Sequence, residues 1–398
     1  MATARLSKSL IVLLAATSAL GPAAMQILLP ALPVIRDDFR VSNEVAQLTL
    51  SLSMLAIALG TLFYGPLSDK HGRKRVMASG LGVTLVGSLF CYFAPTIELL
   101  ILGRFVQAFG GAVGLVLARA IVRDVYPANE AARVIATLVM VMVVIPMLSP
   151  ALGGEIMARF GWHSVFAVIA VFCSIMLAIV WSRLPETLAT PVPFEGIGSM
   201  LGTFKQLLAS RVFSGYAFCV TFVSVVFFSF ISAAPEIMVS VLDRPATEYG
   251  YYFIMIPLGF MAGNYTARQL ISRYPLNWLI GVGASIGVGG ILLALLLQLV
   301  GFHQPVALFA PIALAIYGNG ITLPNAQAAA INEYPHVAGS ASGLTGFLQM
   351  ACSAIAAQLV AVIYNGTVYP LLLMMLAASM LSMASFWLGL RQRPSVES

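Results

Sequence analysis

Apolar runs long enough to cross a bilayer recur along almost the whole chain, and they leave it only one solvent to fold in. A helix needs about 20 mostly apolar residues to span the hydrocarbon core, and twelve such windows occur. In the first half they cover roughly Leu10–Ile35, Val45–Leu67, Val76–Pro95, Leu99–Val122, Ala131–Met157 and Trp162–Leu184. The second half supplies Val212–Leu242, Tyr249–Ser272, Leu276–Val300, Val306–Ile331, Val337–Tyr364 and Val368–Leu390. Only 9% of the 398 residues are charged, against about 25% in a soluble domain. That is too few to cover a water-facing surface. The fold class expected is an all-α membrane protein with twelve transmembrane helices.

Lys and Arg orient those helices, because short cytoplasmic loops are enriched in them. The densest cluster is Gly65-Pro66-Leu67-Ser68-Asp69-Lys70-His71-Gly72-Arg73-Lys74-Arg75, between the second and third runs, where the glycines fit a tight helix-to-helix turn. With this turn in the cytoplasm, 16 Lys and Arg fall on that side and 4 on the other, with Arg104 left inside a span. Both termini are then cytoplasmic. The same count accounts for the net charge of +6, so no nucleic-acid partner is implied. Arg5 and Lys8 ahead of the first run imitate a signal peptide, but the run is too long for one and reads as a retained first helix. Cys91, Cys173, Cys219 and Cys352 lie far apart inside spans, without metal-ligand or redox spacing, and read as small buried hydrophobes. No metal, cofactor or enzyme signature is found.

Pro185–Arg211 is the longest polar connection, and its prolines prevent a helix from crossing it. It divides the chain into a six-helix bundle at 1–184, a cytoplasmic linker at 185–211 and a second six-helix bundle at 212–398. An internal repeat is faint: Gly259, Gly263, Arg268 and Arg273 only weakly echo the end of the second span. Leu201–Leu208 in the linker is amphipathic enough to lie on the membrane surface.

Several polar groups interrupt the apolar runs. An arginine inside a span costs about 2.5–3.5 kcal/mol on insertion scales, so Arg104 either faces a wet cavity or a partner, or snorkels to the interface. Gln107, Gly110 and Gly111 extend a polar, small-residue face beside it. Pro146, Pro150, Gly153 and Gly154 make the fifth span bendable and closely approachable, as a kink used in gating requires. Glu155 and Glu236, near the outer ends of the fifth and seventh spans, are candidate proton carriers unless they are simply hydrated at the rim. Asn325, Gln327 and Gln349 are amides in apolar runs and candidate pocket residues.

Together these segments resemble the major facilitator superfamily, and within it the bicyclomycin/chloramphenicol resistance efflux family. Gly65–Arg75 is similar to the superfamily's motif between helices 2 and 3, Arg104–Gly110 to its helix-4 motif, and Pro150–Gly154 to the helix-5 motif of antiporters. Leu29–Pro33, Arg119–Asp124, Pro324–Ala326 and Pro335–Ser342 resemble the efflux branch. The resemblance implies two bundles that rock around a midplane site. It also implies a conformational latch in which Gly65 and Gly72 shape the turn, Arg73 pairs with Asp124, and Asp69 docks near the start of helix 11. Arg104 would couple to the proton site.

The branch usually places an acid four residues before the first-span proline, and here that position is Gln26. Glutamine binds but does not titrate. Helical rise puts Gln26 near the depth of Arg104, within reach of a hydrogen bond. The function expected is secondary active efflux of small amphipathic, drug-like compounds by a monomer in the bacterial inner membrane, with protons as counter-ion. An uncoupled facilitator or metabolite exporter stays open because of Gln26, and a membrane-embedded enzyme or structural protein is a more distant third reading.

Overall fold

A computed structural model describes residues 7–188, 197–334 and 337–390. Arg5, Pro191, Pro193, Pro335, His336, Arg391 and Arg393 lie outside them. Packing divides the chain into two compact units, Met1–Phe194 and Glu195–Ser398. The first unit contains α1 (Lys8–Gln26), a 3₁₀ turn (Leu29–Ala31), α2 (Leu32–Phe39), α3 (Asn43–His71), α4 (Arg73–Tyr92), α5 (Ile97–Val125), α6 (Ala128–Phe160) and α7 (His163–Arg183). The second contains α8 (Ile197–Ala209), α9 (Arg211–Ser240), α10 (Ala246–Phe253), α11 (Met255–Leu270), α12 (Leu276–Leu299), α13 (Pro305–Asn332), α14 (Ala338–Ile363) and α15 (Tyr369–Leu390). No strand occurs among the described residues.

Three boundaries differ from the sequence reading. The first span is interrupted, since α1 ends at Gln26 and a 3₁₀ turn leads into α2. Pro30 and Pro33 lack the N–H groups a continuous ladder would need there. The eighth is split at Ile254 into α10 and α11, so among the described residues eleven helical stretches, rather than twelve, are individually long and apolar enough to span. The turn after the second span is a single residue. α3 continues through Gly65 and Pro66 to His71, and Gly72 alone, at φ +96°, reverses the chain into α4. Gly65 is helical there, so its expected place in the turn is corrected: the i→i−4 ladder persists until a positive φ breaks it.

α5 is the hub of the first unit, packed against α1, α3 and α4, while α1 also packs on α6 and α4 on α7. Six spans later the pairings recur: α13 packs on α9, α11 and α12, while α9 packs on α14 and α12 on α15. The correspondence extends to residues. A Cβ on Gly110 would strike Gly80 and Thr84, and one on Gly87 would strike the Gln107 backbone. A Cβ on Gly318 would strike Gly283 and Gly287, and one on Gly290 the Ala315 backbone. The spacings are identical in the two units, so the α4–α5 and α12–α13 interfaces share one register. The repeat that is faint in residue identity is clear in packing.

α8, inside the connection, buries Phe204 and Leu207 while Leu201 stays exposed. It packs on α9 and α14 within the second unit.

Candidate functional site

The charged end of the first unit is assembled by Arg73, the first residue of α4. Its Nε donates to Asp124 Oδ2 at 2.9 Å, while Nη1 lies 2.5 Å from Asp69 Oδ1 and donates to Ser68 Oγ at 2.6 Å. One guanidinium thus joins the ends of α3, α4 and α5. The sequence reading missed a second contributor. Glu186, three residues past α7, accepts the backbone N–H of Arg73 at 2.8 Å and of Lys74 at 3.2 Å. Its carboxylate caps the start of α4, where unpaired N–H groups and the helix dipole favour negative charge. Thr187 adds a hydrogen bond from Oγ1 to Asp124 Oδ2 at 3.2 Å. A Cβ on Gly72 would meet the Glu186 carboxylate, which could shift, so it is the positive φ that calls for glycine. The signal available was an acid directly after the sixth span, on the side where the bases gather.

Deeper in the same unit, Arg104 is 1% exposed. Its Nη1 donates to the Ala24 carbonyl at 3.0 Å and to Gln107 Oε1, and Gln107 Nε2 donates to Ser88 Oγ at 2.8 Å. The guanidinium carbon stands 6.0 Å from the centre of the Phe166 ring. The head group is directed into the helices rather than snorkelling outward. Arg104 Nε has no hydrogen-bond partner, and neither has Gln26 Oε1. The expected Gln26–Arg104 hydrogen bond is therefore absent. Rise along the helix placed the two at similar depth, but Arg104 meets Ala24, and two residues later the helix has turned by about 200°.

The internal repeat isolates what is unusual here. In the shared register, Ser88, Gln107 and Arg104 correspond to Ile291, Ala315 and Ile312, and all three of the latter are 0% exposed. At these three positions the second unit closes the same helix interface with aliphatic side chains, its polar Asn319 and Thr322 lying elsewhere in it. Buried polar groups cost free energy unless fully bonded, so packing does not require the first unit's polar trio.

α6 runs unbroken through Pro146 and Pro150, both buried. Gly153 and Gly154 are buried as well, and a Cβ on Gly153 would strike the Ile27 carbonyl, at the point where α1 ends. Glu155 lies 3.4 Å from Arg159 and its side chain is 45% exposed. Glu236, on α9, is only 7% exposed and accepts a hydrogen bond from Ser240 Oγ. In the second unit Gln349 Oε1 accepts from Ser224 Oγ at 3.0 Å, joining α14 to α9. Asn325 is buried and donates to the Ile321 carbonyl of its own helix at 2.7 Å, whereas Gln327 is partly exposed. Asn319, left out of the candidate set, donates to the Val223 carbonyl at 3.4 Å. The second unit therefore brings Gln349 and Asn319 to α9, but not Asn325.

Comparison with known proteins agrees with this architecture. The family model described as Major Facilitator Superfamily matches residues 14–357. A bicyclomycin resistance protein homolog of Haemophilus influenzae is 28% identical over 376 residues, covering 93% of each chain. Multidrug resistance protein D of Escherichia coli is 27% identical over 360 residues, covering 89% of each. A bacterial homolog of the human lysosomal transporter Spinster superposes with a TM-score of 0.76 at 16% identity, covering 98% of this chain and 100% of that one, which speaks to fold alone. The chain is a multi-pass membrane transporter, not an enzyme, and it belongs to the major facilitator superfamily.

Proposed function

We propose that the chain exports small amphipathic compounds across the bacterial inner membrane by alternating access, driven by proton antiport, as a monomer with both termini cytoplasmic. The observation that carries export is the seat of Gly153 on the end of α1, within the stretch resembling the antiporter motif of helix 5. The printed names of its relatives, bicyclomycin and multidrug resistance, favour drug-like cargo. Arg73, Asp69 and Asp124 serve as the conformational latch.

Glu236 is the proton carrier in this reading. It is buried on α9, whereas Glu155 is half-exposed beside Arg159. The test is flux in proteoliposomes under an imposed pH gradient. Wild type is expected to accumulate bicyclomycin against its gradient, and Glu236→Gln to lose accumulation while retaining downhill flux. The uncoupled reading, favoured by Gln26, is the result if wild-type flux ignores the pH gradient.

A further inference from the structure

Arg104 presents an unusual pattern of used and unused donors. A guanidinium has five N–H groups. Among the described residues both of its hydrogen bonds leave from Nη1, to Ala24 and Gln107, and no carboxylate lies within ion-pair distance. Nε is buried with no partner. The edge left unused, Nε with Nη2, is one of the two edges that bind a carboxylate through paired parallel hydrogen bonds. A cation held at 1% exposure without a counter-charge is costly. The repeat excludes a packing reason for that cost, since Ile312 fills the same position in the second unit. The aromatic face of Phe166 adds an apolar wall at 6.0 Å.

We propose that the Nε–Nη2 edge of Arg104 anchors the carboxylate of an amphipathic organic anion, so that this transporter's preferred cargo is acidic rather than cationic. This rests on the export reading above and adds the chemical class. Gln26 fits the same picture. An acid in the first span would supply a competing negative charge near the depth of Arg104, and glutamine supplies none. Gln107 and Ser88 act as positioning residues, engaging Nη1 so that the other edge is left without a protein partner.

The test uses purified full-length protein in nanodiscs and three probes with one aromatic body: 1-naphthaleneacetate, its neutral amide and the corresponding trimethylammonium. Binding is read by calorimetry and export by flux from vesicles. Wild type is expected to bind the carboxylate about tenfold or more tightly than either analogue, the scale of one charge-assisted pair. Arg104→Lys keeps the charge but loses the fork, and it is expected to forfeit most of that preference.

The decisive variant copies the second unit into the first, as Ser88→Ile, Gln107→Ala and Arg104→Ile together. It is expected to melt no lower than wild type and to bind all three probes alike, which separates loss of the anchor from loss of the fold. Equal wild-type binding of the three probes would overturn the proposal, as would carboxylate preference surviving in the triple variant. So would full displacement of the probe by equimolar formate, which would mean a site for any small anion. If the amide and the ammonium are exported while the carboxylate is not preferred, the anchor falls and the exporter stands. If none of the three moves, the export reading falls first.

Discussion

At the scale of single residues, the charged end of the first unit depends on two groups with separable jobs. Arg73 ties three helices together through its side chain, and Glu186 caps α4 through backbone N–H groups alone. Arg73→Ala is expected to leave insertion intact but to lower the melting temperature and impair transport, because the tie between three helix ends is lost while the spans are untouched. Wild-type flux from that variant would remove the latch. Glu186→Ala is expected to lower stability by about 1 kcal/mol, the usual size of a lost helix cap, readable as a lower melting temperature with Glu186→Gln recovering part of it. Arg73, Asp69 and Asp124 stood out beforehand as charges in an apolar chain, and their expected pairing came from the family resemblance. Glu186 was hidden because its role is a backbone contact across more than a hundred residues, which leaves no periodic trace. The unpartnered edge of Arg104 was equally hidden, since a sequence shows that a charge is buried but not which of its donors are occupied.

Among elements, composition located the spans well and their interruptions poorly. α4, α5 and α12 lie within a few residues of the expected windows, because a long apolar run surrounded by lipid has to satisfy its backbone internally and therefore helically. The breaks after Gln26 and at Ile254 escaped because hydropathy averages over about 19 residues and does not register where a ladder lapses. α6 shows the reverse. Its prolines were expected to kink it; the helix assignment runs through both, and the contact the sequence did not show is Gly153 beneath the Ile27 carbonyl. Gly153→Val is expected to insert normally but to transport several-fold more slowly, because two methyl groups would have to fit where a backbone carbonyl already sits. A variant with unaltered flux and unaltered melting would show that α6 and α1 separate at no cost, against the close approach described.

For the molecule as a whole, the units repeat one packing plan in one register while diverging in what that plan encloses. Each keeps its own helix pairings and its own core. Co-expression of residues 1–194 and 195–398 as two chains is therefore expected to restore measurable efflux, assayed by probe retention in cells. Failure with both halves inserted would show that covalent connection is itself required. The duplication was barely visible beforehand because glycine contacts and aliphatic volume are what it preserves, and neither needs a fixed residue name outside the contact points.

The split at Ile254 bears on how the polypeptide crosses the bilayer. α10 and α11 have 8 and 16 residues, about 12 and 24 Å at 1.5 Å per residue, and neither alone crosses a hydrocarbon layer of about 30 Å. Counted separately they contribute no crossing, and the eleven remaining stretches would leave the two ends of the chain on opposite faces. Counted end to end they contribute one, and the parity is even again. α11 in turn packs closely on α13 through Gly263 and Gly320. Ile254 itself keeps right-handed helical φ and ψ, so the two helices placed end to end supply the one crossing that neither supplies alone.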